Sequence, residues 1–438
     1  MAAMRGQTHK SRREMRTLVV FALIFFLLAA AIVFVKNRDP ETLKPPPLTP
    51  KTQDRIASPE NAYQMLYASL EFLPENKPLP QKYPVPENPT KTAFYETEAD
   101  SIARELDLWA PDDSSEVAAY IAQLRPGIDK ARETTSAKYF IFPEQEEGVA
   151  WGLGASWLSH MRVSYRHAWE IRGARQEALD LLFDTIRLSR LVRQDGGARY
   201  VASMQSEEQD AWQYLIAYLA ETDEPAILDC AFKKLMALNE PPPLAYDRIL
   251  RAEWRAGYAY LEHLRERGWF QGTSTLFYMK NMRSERRAVK AIIEQGKVWQ
   301  QMLSLPYPRF EEEVARLHEE VLDNPNGNYT NAAFSLFHCK YEETCCVTLQ
   351  RQILLLMLLE LHRRDKGEYP EALVEAVADH LETVPEDPFT GNPFEYNPDT
   401  PERLLVSPGP KIHPDSLQHL SATDRLEIAN GVRIQKDR

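Results

Sequence analysis

The sequence predicts a mostly α-helical protein with a single N-terminal transmembrane helix and a small α+β element near the C-terminal end. Three observations lead to this fold class. Residues 18–35 form an apolar stretch without a charged residue. Prolines are rare in the middle of the chain, where apolar residues recur with a helical period. Turn residues and two short apolar segments follow this middle region, which is typical of a small antiparallel strand pair.

The apolar stretch 18–35 has the length of a membrane-spanning helix. At about 1.5 Å of rise per residue it covers roughly 27 Å, close to the roughly 30 Å of a hydrocarbon core. Five basic residues precede it. A cleavable signal peptide is the alternative, with Ala29 to Ala31 as the small residues for cleavage, but its apolar core is typically only about 7 to 15 residues long. We therefore predict an uncleaved single-pass anchor.

The flanking charges bear on the orientation of this anchor. Basic residues also follow it, at Lys36, Arg38, Lys44 and Lys51, so the charge bias is small. Long domains cross membranes largely regardless of such a bias, whereas a short tail stays inside more readily. We expect an inner-membrane protein with the basic tail 1–17 in the cytoplasm and the bulk of the chain extracytoplasmic.

Composition limits the classes of partner. The 438 residues are 44% hydrophobic and 10% aromatic, which is enough for a packed core. The formal net charge of −12 argues against nucleic acid as a partner, because phosphate binding requires clustered Lys and Arg. The expected partners are the lipid bilayer, through the anchor, and an envelope protein.

Prolines divide the chain into zones. Of the 31 prolines, 12 lie between Pro40 and Pro89 and 9 lie between Pro370 and Pro414. Proline removes a backbone donor and clashes inside helices, so both zones favour extended or turn-forming structure. The predicted regions after the anchor are a stiff stalk at 36–96 with one short helix from Ser58 to Leu73, a helical domain at 97–365, a C-terminal element at 366–412 and a polar tail at 413–438.

The middle region has the pattern of successive helices. Residues 176–194 place apolar side chains opposite arginines, and Gly196 and Gly197 end this helix. The preceding helix carries Trp157 and Trp169 and ends at Gly173, so the two helices form a hairpin. Further helices are predicted at 200–221, 225–238, 244–267, 284–303, 310–322 and 345–364. Such pairs build either a helical-hairpin bundle or an irregular α-solenoid.

Residues 353–359 are seven consecutive apolar residues in the last of these helices. This run is too short for a second membrane span, which needs about 20 residues. Polar residues flank it, with Gln352 on one side and Glu360 on the other. We therefore predict a helix that is buried in the core of the helical domain.

Common catalytic signatures are absent from the sequence. It contains no His pair with helical zinc spacing, no glycine-rich phosphate loop and no Gly-x-Ser-x-Gly elbow. His160 and His167 lie on one helix face, but core packing is the simpler explanation. We predict no catalytic residue, no metal ligand and no cofactor. An unrecognised envelope enzyme remains an alternative, because a helical domain can assemble acids and bases from distant positions.

Three of the four cysteines, Cys339, Cys345 and Cys346, lie close together in the sequence. In an oxidising compartment, a disulfide from Cys339 to Cys345 or Cys346 would join a loop to the helix predicted at 345–364. Free buried thiols are the alternative. A metal site is disfavoured, because adjacent cysteines rarely both reach one ion in tetrahedral geometry.

The C-terminal element has a locally interpretable pattern. Gly367 fits the position just past a helix end, and residues 371–377 can form one short helix. Asp387 and Pro388, followed by Gly391, are typical of a turn. Residues 394–396 and 404–406 suit a two-stranded antiparallel pair.

This element resembles the globular end of the major, G-type pseudopilin of type II secretion. The residues that carry the resemblance are Tyr369, Pro370, Leu373, Pro385, Asp387, Pro388, Gly391, Asn392, Pro393, Tyr396, Ser407 and Gly409. Pro410 and Lys411 replace the acidic residues of that family's calcium loop, so the resemblance does not imply a calcium site. Membrane-anchored helical proteins of planctomycete-like bacteria are similar in ending with the same element.

Anchor, stalk and helical pairs together predict a single-pass extracytoplasmic protein that binds partner proteins or scaffolds an envelope assembly. The pseudopilin resemblance implies an alternative, a structural component of a secretion system.

Overall fold

The computed structural model describes residues 44–45, 50–69, 71, 115–143, 147–222, 224–267, 330–399 and 404–410, and also 286–322 except 287, 288, 291 and 295. The predicted basic tail 1–17, the membrane helix 18–35 and the polar tail 413–438 lie outside the described residues. The described part is mostly helical and contains two small antiparallel strand pairs, which confirms the predicted class at this level.

The described residues include the helices α1 (Pro50–Ile56), α2 (Ala62–Ser69), α3 (Ser115–Glu133), α4 (Glu147–Arg166), α5 (Arg175–Val192), α6 (Ala198–Ala220), α7 (Pro225–Met236), α8 (Tyr246–Arg267), α9 (Tyr307–Leu322), α10 (Thr330–Lys366) and α11 (Leu373–Val377). A 3₁₀ turn, Thr134–Ser136, follows α3, and a π-helical turn, His167–Ile171, continues α4. The strands are β1 (Glu386–Asp387), β2 (Asn392–Pro393), β3 (Glu395–Tyr396) and β4 (Leu405–Val406).

The chain divides into two compact units. The smaller one comprises residues 1–46 with Trp254–Glu294, and the larger one comprises Pro47–Glu253 with Gln295–Arg438. In the smaller unit, a Cβ atom on Gly257 would lie 2.8 Å from Val289 Cγ2. The backbone of α8 therefore approaches the side chain of Val289 closely at this glycine.

The core of the larger unit is built by α4, α5, α6 and α10, each packed on the next. Trp157, Phe183 and Trp212 are fully buried. The rings of Phe183 and Trp212 meet edge to face with centroids 6.3 Å apart. The predicted helices at 176–194, 200–221, 225–238 and 244–267 are confirmed as α5 to α8, with ends that differ by a few residues.

Two glycines end helices where the sequence predicts breaks. Gly173 has a φ of +59° and lies between the π-helical turn and α5. Gly196, with a φ of +127°, lies between α5 and α6. A Cβ atom on Gly196 would lie 2.5 Å from Tyr200 Cδ1. Positive φ values are costly for residues with a Cβ atom, so glycine is favoured at both ends.

Helix α10 begins at Thr330, so the prediction that a loop precedes Cys345 is wrong. In this part of α10, Glu342 and Glu343 are buried although their charge suggests exposure. Glu343 accepts hydrogen bonds from the Leu244 N–H and the Tyr246 hydroxyl, both at 2.8 Å. These partners precede it by about one hundred residues, which sequence spacing does not reveal.

Within the part of the chain that the structure describes, the segment Leu336–Lys366 is long and apolar enough to cross a membrane. However, 78% of its most apolar window is buried against other parts of the protein. Ile353 and Leu359 are at most 1% exposed. The run 353–359 therefore belongs to a core helix, as predicted.

The region before the helical domain departs from the predicted stalk. Part of the expected extended segment is helix α1, and the next helix begins at Ala62 rather than at Ser58. Asn61 explains this start. Its Oδ1 accepts hydrogen bonds from the N–H groups of Tyr63, at 3.2 Å, and Ile141, at 3.0 Å. One buried amide thereby joins α2 to the segment that follows α3.

The C-terminal element contains two antiparallel strand pairs. β3 pairs with β4, which confirms the pair predicted at 394–396 and 404–406. β1 pairs with β2 across the turn at Gly391. Leu355 and Leu359 of α10 contribute to one buried apolar cluster with Leu373 of α11 and Leu405 of β4. The element therefore packs on the second half of α10.

Candidate functional site

The three clustered cysteines are free buried thiols on α10. In a continuous helix, about 1.5 Å of rise per residue separates the Cα atoms of Cys339 and Cys345 by about 9 Å, beyond the roughly 7 Å limit for a disulfide. The predicted bridge from Cys339 to Cys345 or Cys346 is therefore absent and does not fit an intact α10. Burial raises the pKa of all three thiols, which favours a packing role.

Asp387, one of the residues that carry the pseudopilin resemblance, contacts a second one, Ser407. The Asp387 side chain is buried and accepts hydrogen bonds from the Ser407 hydroxyl, at 3.0 Å, and from the Phe389 N–H, also at 3.0 Å. Burial raises the pKa of Asp387, although these hydrogen bonds act in the opposite direction. Asp387 thus joins the β1–β2 turn to the segment after β4.

A second hydrogen bond joins two parts of the C-terminal element. The Tyr396 hydroxyl donates a hydrogen bond to the Pro370 carbonyl oxygen at 2.6 Å. Gly391, with a φ of +68°, lies in the turn between β1 and β2. These contacts give the resembling residues a structural role, because they hold turns and strands of the element together.

The two histidines named from the sequence lie in the core. His160 is fully buried, with its Nε2 atom 3.4 Å from Ser156 Oγ and its ring against Trp157. His167 lies in the π-helical turn and is 8% exposed. Neither residue lines the cleft described next.

A cleft of about 620 Å³ opens where α3, the turn at Gly173 and the N-terminal ends of α5 and α7 meet. This volume lies within the range of about 300 to 1,000 Å³ that is usual for binding pockets. Its lining is mostly charged. The lining residues are Arg125, Arg132, Gly173, Ala174, Arg175, Gln176, Glu177, Asp180, Glu224 and Ile227.

The edge of this cleft is ordered by aromatic packing beside the π-helical turn. Trp169 stacks on Tyr218 with ring centroids 4.2 Å apart and planes 7° from parallel. The Arg175 guanidinium lies over the Trp169 ring, 5.5 Å from its centroid. π-Helical turns are frequent at functional sites, so the turn beside the cleft is consistent with a functional role for this region.

Seven charged side chains, three of which line the cleft, form a continuous series of ion pairs that we call the ion-pair chain. Its members, in order, are Arg172, Glu177, Arg125, Asp129, Arg132, Asp184 and Arg187. The pairs include Arg172 with Glu177 at 2.7 Å and Arg132 with Asp184 at 2.6 Å. Because the series begins and ends with arginine, it carries one net positive charge.

Glu177, in the first turn of α5, pairs with Arg125 of α3 and with Arg172. Partial burial raises the pKa of Glu177, but hydrogen bonds from Arg172 and Arg125 outweigh burial and leave this pKa below its ordinary value. Glu177 therefore remains a carboxylate at neutral pH. It holds the two arginines in fixed positions at the cleft.

Two further ion pairs flank the ion-pair chain. Arg175 Nη1 donates to Glu224 at 2.8 Å and to the Thr222 hydroxyl at 2.9 Å, which joins α5 to the start of α7. Lys234 Nζ lies 2.9 Å from Asp180 Oδ1. The charged groups of the cleft are thus fixed by contacts among three helices.

Sequence reasoning did not find this cleft. Arg125 and Glu177 are 52 residues apart, and each alone has the pattern of a solvated helix face. The one local signal in the sequence is the helix break at Gly173, which lies at the edge of the cleft.

Among the described residues, no group of three or more His, Cys, Asp or Glu side chains is placed to hold a metal ion. In comparisons with known proteins, no family model matches this chain, and neither a curated protein nor a solved structure is similar to it.

Proposed function

We propose that this chain is a single-pass membrane-anchored component of the cell envelope whose extracytoplasmic helical body binds a partner protein. The apolar stretch 18–35 is the anchor in this proposal. The observation that carries the binding role is the open cleft of about 620 Å³, where ion pairs hold charged side chains of three helices in place.

The chemistry of the cleft favours a protein over a small apolar ligand. Pockets for small molecules are lined predominantly by apolar and aromatic side chains. Here only Ala174 and Ile227 are apolar apart from Gly173, and six of the lining residues are charged. Charged groups at protein interfaces mainly provide specificity and fast association. A polar protein surface is therefore the occupant that fits this lining.

The anchor is tested by fractionation of cells that express the full chain. We expect the protein in the membrane fraction after salt and alkaline washes, and in solution only after detergent is added. Recovery of the intact chain in a detergent-free, salt-washed supernatant contradicts the anchor.

The binding role is tested by crosslinked pull-down from membranes that contain the full chain. We expect a reproducible envelope protein with the wild type, and reduced capture with Arg125→Ala. Arg309→Ala is the matched control, because Arg309 forms an exposed ion pair with Glu312 on α9, away from the cleft. Absence of any reproducible partner, or equal loss with both variants, contradicts the proposal.

A structural role in a secretion system is the second candidate. The contacts of Asp387 with Ser407 and of Tyr396 with Pro370 favour it, because they join residues that carry the pseudopilin resemblance. This role predicts processing of the N-terminal region by a prepilin peptidase. An unprocessed N-terminus in the intact mass of the membrane protein argues against it.

A further inference from the structure

The arginines of the cleft keep unused hydrogen-bond donors. Arg175 uses only Nη1, and its Nε and Nη2 atoms have no hydrogen-bond partner among the described residues. Arg125 uses Nε and Nη1, toward Asp129 and Glu177. Arg132 donates from Nε to Asp184. In the part of the chain that the structure describes, the Nη2 groups of Arg125 and Arg132 likewise form no hydrogen bond.

One part of each guanidinium group is therefore held by an ion pair, and the remaining N–H donors form an open edge that can bind another acceptor. A guanidinium presents five N–H donors in a planar fork that matches a carboxylate, so a second carboxylate can bind to the open edge. The side chains of Arg125, Arg132 and Arg175 are 44%, 29% and 32% exposed, which leaves these edges accessible. The carboxylates already present position the arginines for an additional anion.

The charge around the cleft supports an anionic occupant. The ion-pair chain has four arginines and three carboxylates, and the two flanking pairs are neutral. The charged residues of the lining itself balance, with three arginines and three carboxylates, so the single net positive charge comes from the ion pairs around the lining. The chain as a whole has a formal net charge of −12. No side chain caps the start of α5, so the N-terminal end of its helix dipole adds positive potential at the same place.

We infer that this cleft binds the carboxylate side chains of an acidic protein segment, an inference that rests on the proposed protein-binding function. Incoming Asp or Glu side chains accept hydrogen bonds from the open edges of Arg125, Arg132 and Arg175. A nucleic-acid strand fits less well, because it brings a phosphate with every nucleotide to a lining that already holds three carboxylates, whereas a protein segment can place single carboxylates at the open edges.

The test uses the full-length protein in detergent micelles and a fluorescent Glu-rich peptide, with a peptide of the same length that has Gln in place of every Glu. Fluorescence anisotropy measures binding. We expect the Glu-rich peptide to bind and the Gln peptide not to bind. Binding should weaken as salt concentration rises, because the contacts are partly exposed ion pairs.

Variants assign the binding to the cleft. Arg175→Ala should weaken binding by about 10-fold or more, as expected for loss of a hydrogen bond between charged groups. Arg175→Lys keeps the charge and the pairing with Glu224 but lacks the planar fork, so its affinity should be intermediate. Arg309→Ala should bind as the wild type does. Circular dichroism and thermal unfolding check that each variant is folded.

Several outcomes overturn the inference. These are equal binding of the Gln peptide, unchanged binding by a folded Arg175→Ala or Arg175→Lys protein, and displacement of the peptide by an equal concentration of inorganic phosphate. Tighter binding of a single-stranded oligonucleotide of equal charge overturns the assignment to a protein segment.

The pull-down separates this inference from the proposed function. If a partner is captured equally by the wild type and by Arg175→Ala, and the Glu-rich peptide does not bind, the acidic-segment inference fails while protein binding stands. If the peptide binds but membranes yield no partner, the inference about the cleft stands and the proposed function fails.

Discussion

Arg193 Nη1 lies 2.9 Å from Glu208 Oε2, and the two side chains are 1% and 0% exposed. The other oxygen, Glu208 Oε1, accepts a hydrogen bond from Arg190 Nε at 2.8 Å. Arg190 also donates from Nη2 to Gln350 at 2.7 Å. One buried carboxylate on α6 therefore holds two arginines from the end of α5. Both arginines also reach α10, because Arg193 Nη1 donates a hydrogen bond to Cys346 Sγ at 3.6 Å.

Replacing Glu208 by Ala should destabilise the protein severely, because two guanidinium groups lose their buried partner. Breaking one side of a buried ion pair typically costs about 3 to 5 kcal/mol. Glu312→Ala is the control, since Glu312 is 64% exposed and an exposed pair contributes roughly 0 to 1 kcal/mol. Urea unfolding of the detergent-solubilised chain measures both, and equal effects would contradict a stabilising role of this network.

The contribution of Glu208 to the free energy of unfolding should depend on pH. Burial raises the pKa of Glu208, but the charges of Arg193 and Arg190 outweigh burial and leave this pKa below its ordinary value. A carboxylate with a lowered folded pKa stabilises the protein above its unfolded pKa, about 4.3, and this stabilisation is lost as pH falls through the folded pKa.

The free energy of unfolding of Glu208→Gln should therefore differ from that of the wild type by a constant amount near neutral pH. The difference should shrink when the pH falls below about 4. Urea unfolding at a series of pH values tests this expectation. A difference that stays constant into the acidic range counts against the ionised carboxylate as the cause.

The contribution of Asp387 to stability should change with pH in the direction opposite to that of Glu208. Because burial raises the pKa of Asp387, its contribution to stability is largest below the unfolded pKa and is lost as pH rises through the folded pKa. Asp387→Asn keeps an oxygen that accepts hydrogen bonds from the Ser407 hydroxyl and the Phe389 N–H. Its free energy of unfolding, relative to that of the wild type, should be highest at neutral pH, where the wild type has lost the contribution of Asp387.

Asp387→Ala removes that acceptor and should destabilise by about 2 kcal/mol or more, the penalty for buried donors without a partner. Urea unfolding of the two variants at neutral and acidic pH distinguishes them. Equal losses for Asn and Ala would show that the hydrogen bonds of Asp387 do not hold the element.

Gly196→Ala should destabilise the protein more than Gly173→Ala. Both glycines have positive φ values, and a left-handed conformation costs an alanine roughly 1 to 2 kcal/mol. At Gly196 the new methyl group would also lie 2.5 Å from the Tyr200 ring, whereas at Gly173 no atom lies within 4 Å. Thermal unfolding of the two variants measures which one is less stable. A lower melting temperature for Gly173→Ala than for Gly196→Ala would contradict the close approach at Tyr200.

The cysteines should remain thiols in the isolated protein. In the folded protein we expect a small alkylating reagent to modify Cys230, which is partly exposed, well before the buried Cys339, Cys345 and Cys346. After unfolding without reductant, mass spectrometry should show four alkylated cysteines. A mass that corresponds to two alkylated cysteines would indicate a disulfide and a different arrangement of this part of α10.

Local rules predicted much of the helical fold. The apolar period placed α5 to α8, and glycine breaks at Gly173 and Gly196 marked their ends. The strand pair β3–β4 also followed from its short apolar segments and its intervening turn residues. These features depend on neighbours in the chain, which a single sequence displays directly.

Features that depend on distant partners were missed. Glu343 is charged, yet hydrogen bonds from the Leu244 N–H and the Tyr246 hydroxyl allow its burial within α10. The cleft was missed for the same reason, since Arg125 and Glu177 meet only after α3 packs beside α5. Charge pairing across helices leaves no periodic signal in the sequence.

The 37 residues of α10 form one uninterrupted rod about 55 Å long, at about 1.5 Å per residue. Its first half lies beside α6, where Gln205 donates to the Cys339 carbonyl oxygen, and its second half supports the C-terminal element. Trimming the chain after Lys366 would leave Leu355 and Leu359 facing water. The boundary that proline content predicts at residue 366 is therefore only a change in local structure. We expect the segments on either side of it to unfold in a single thermal transition.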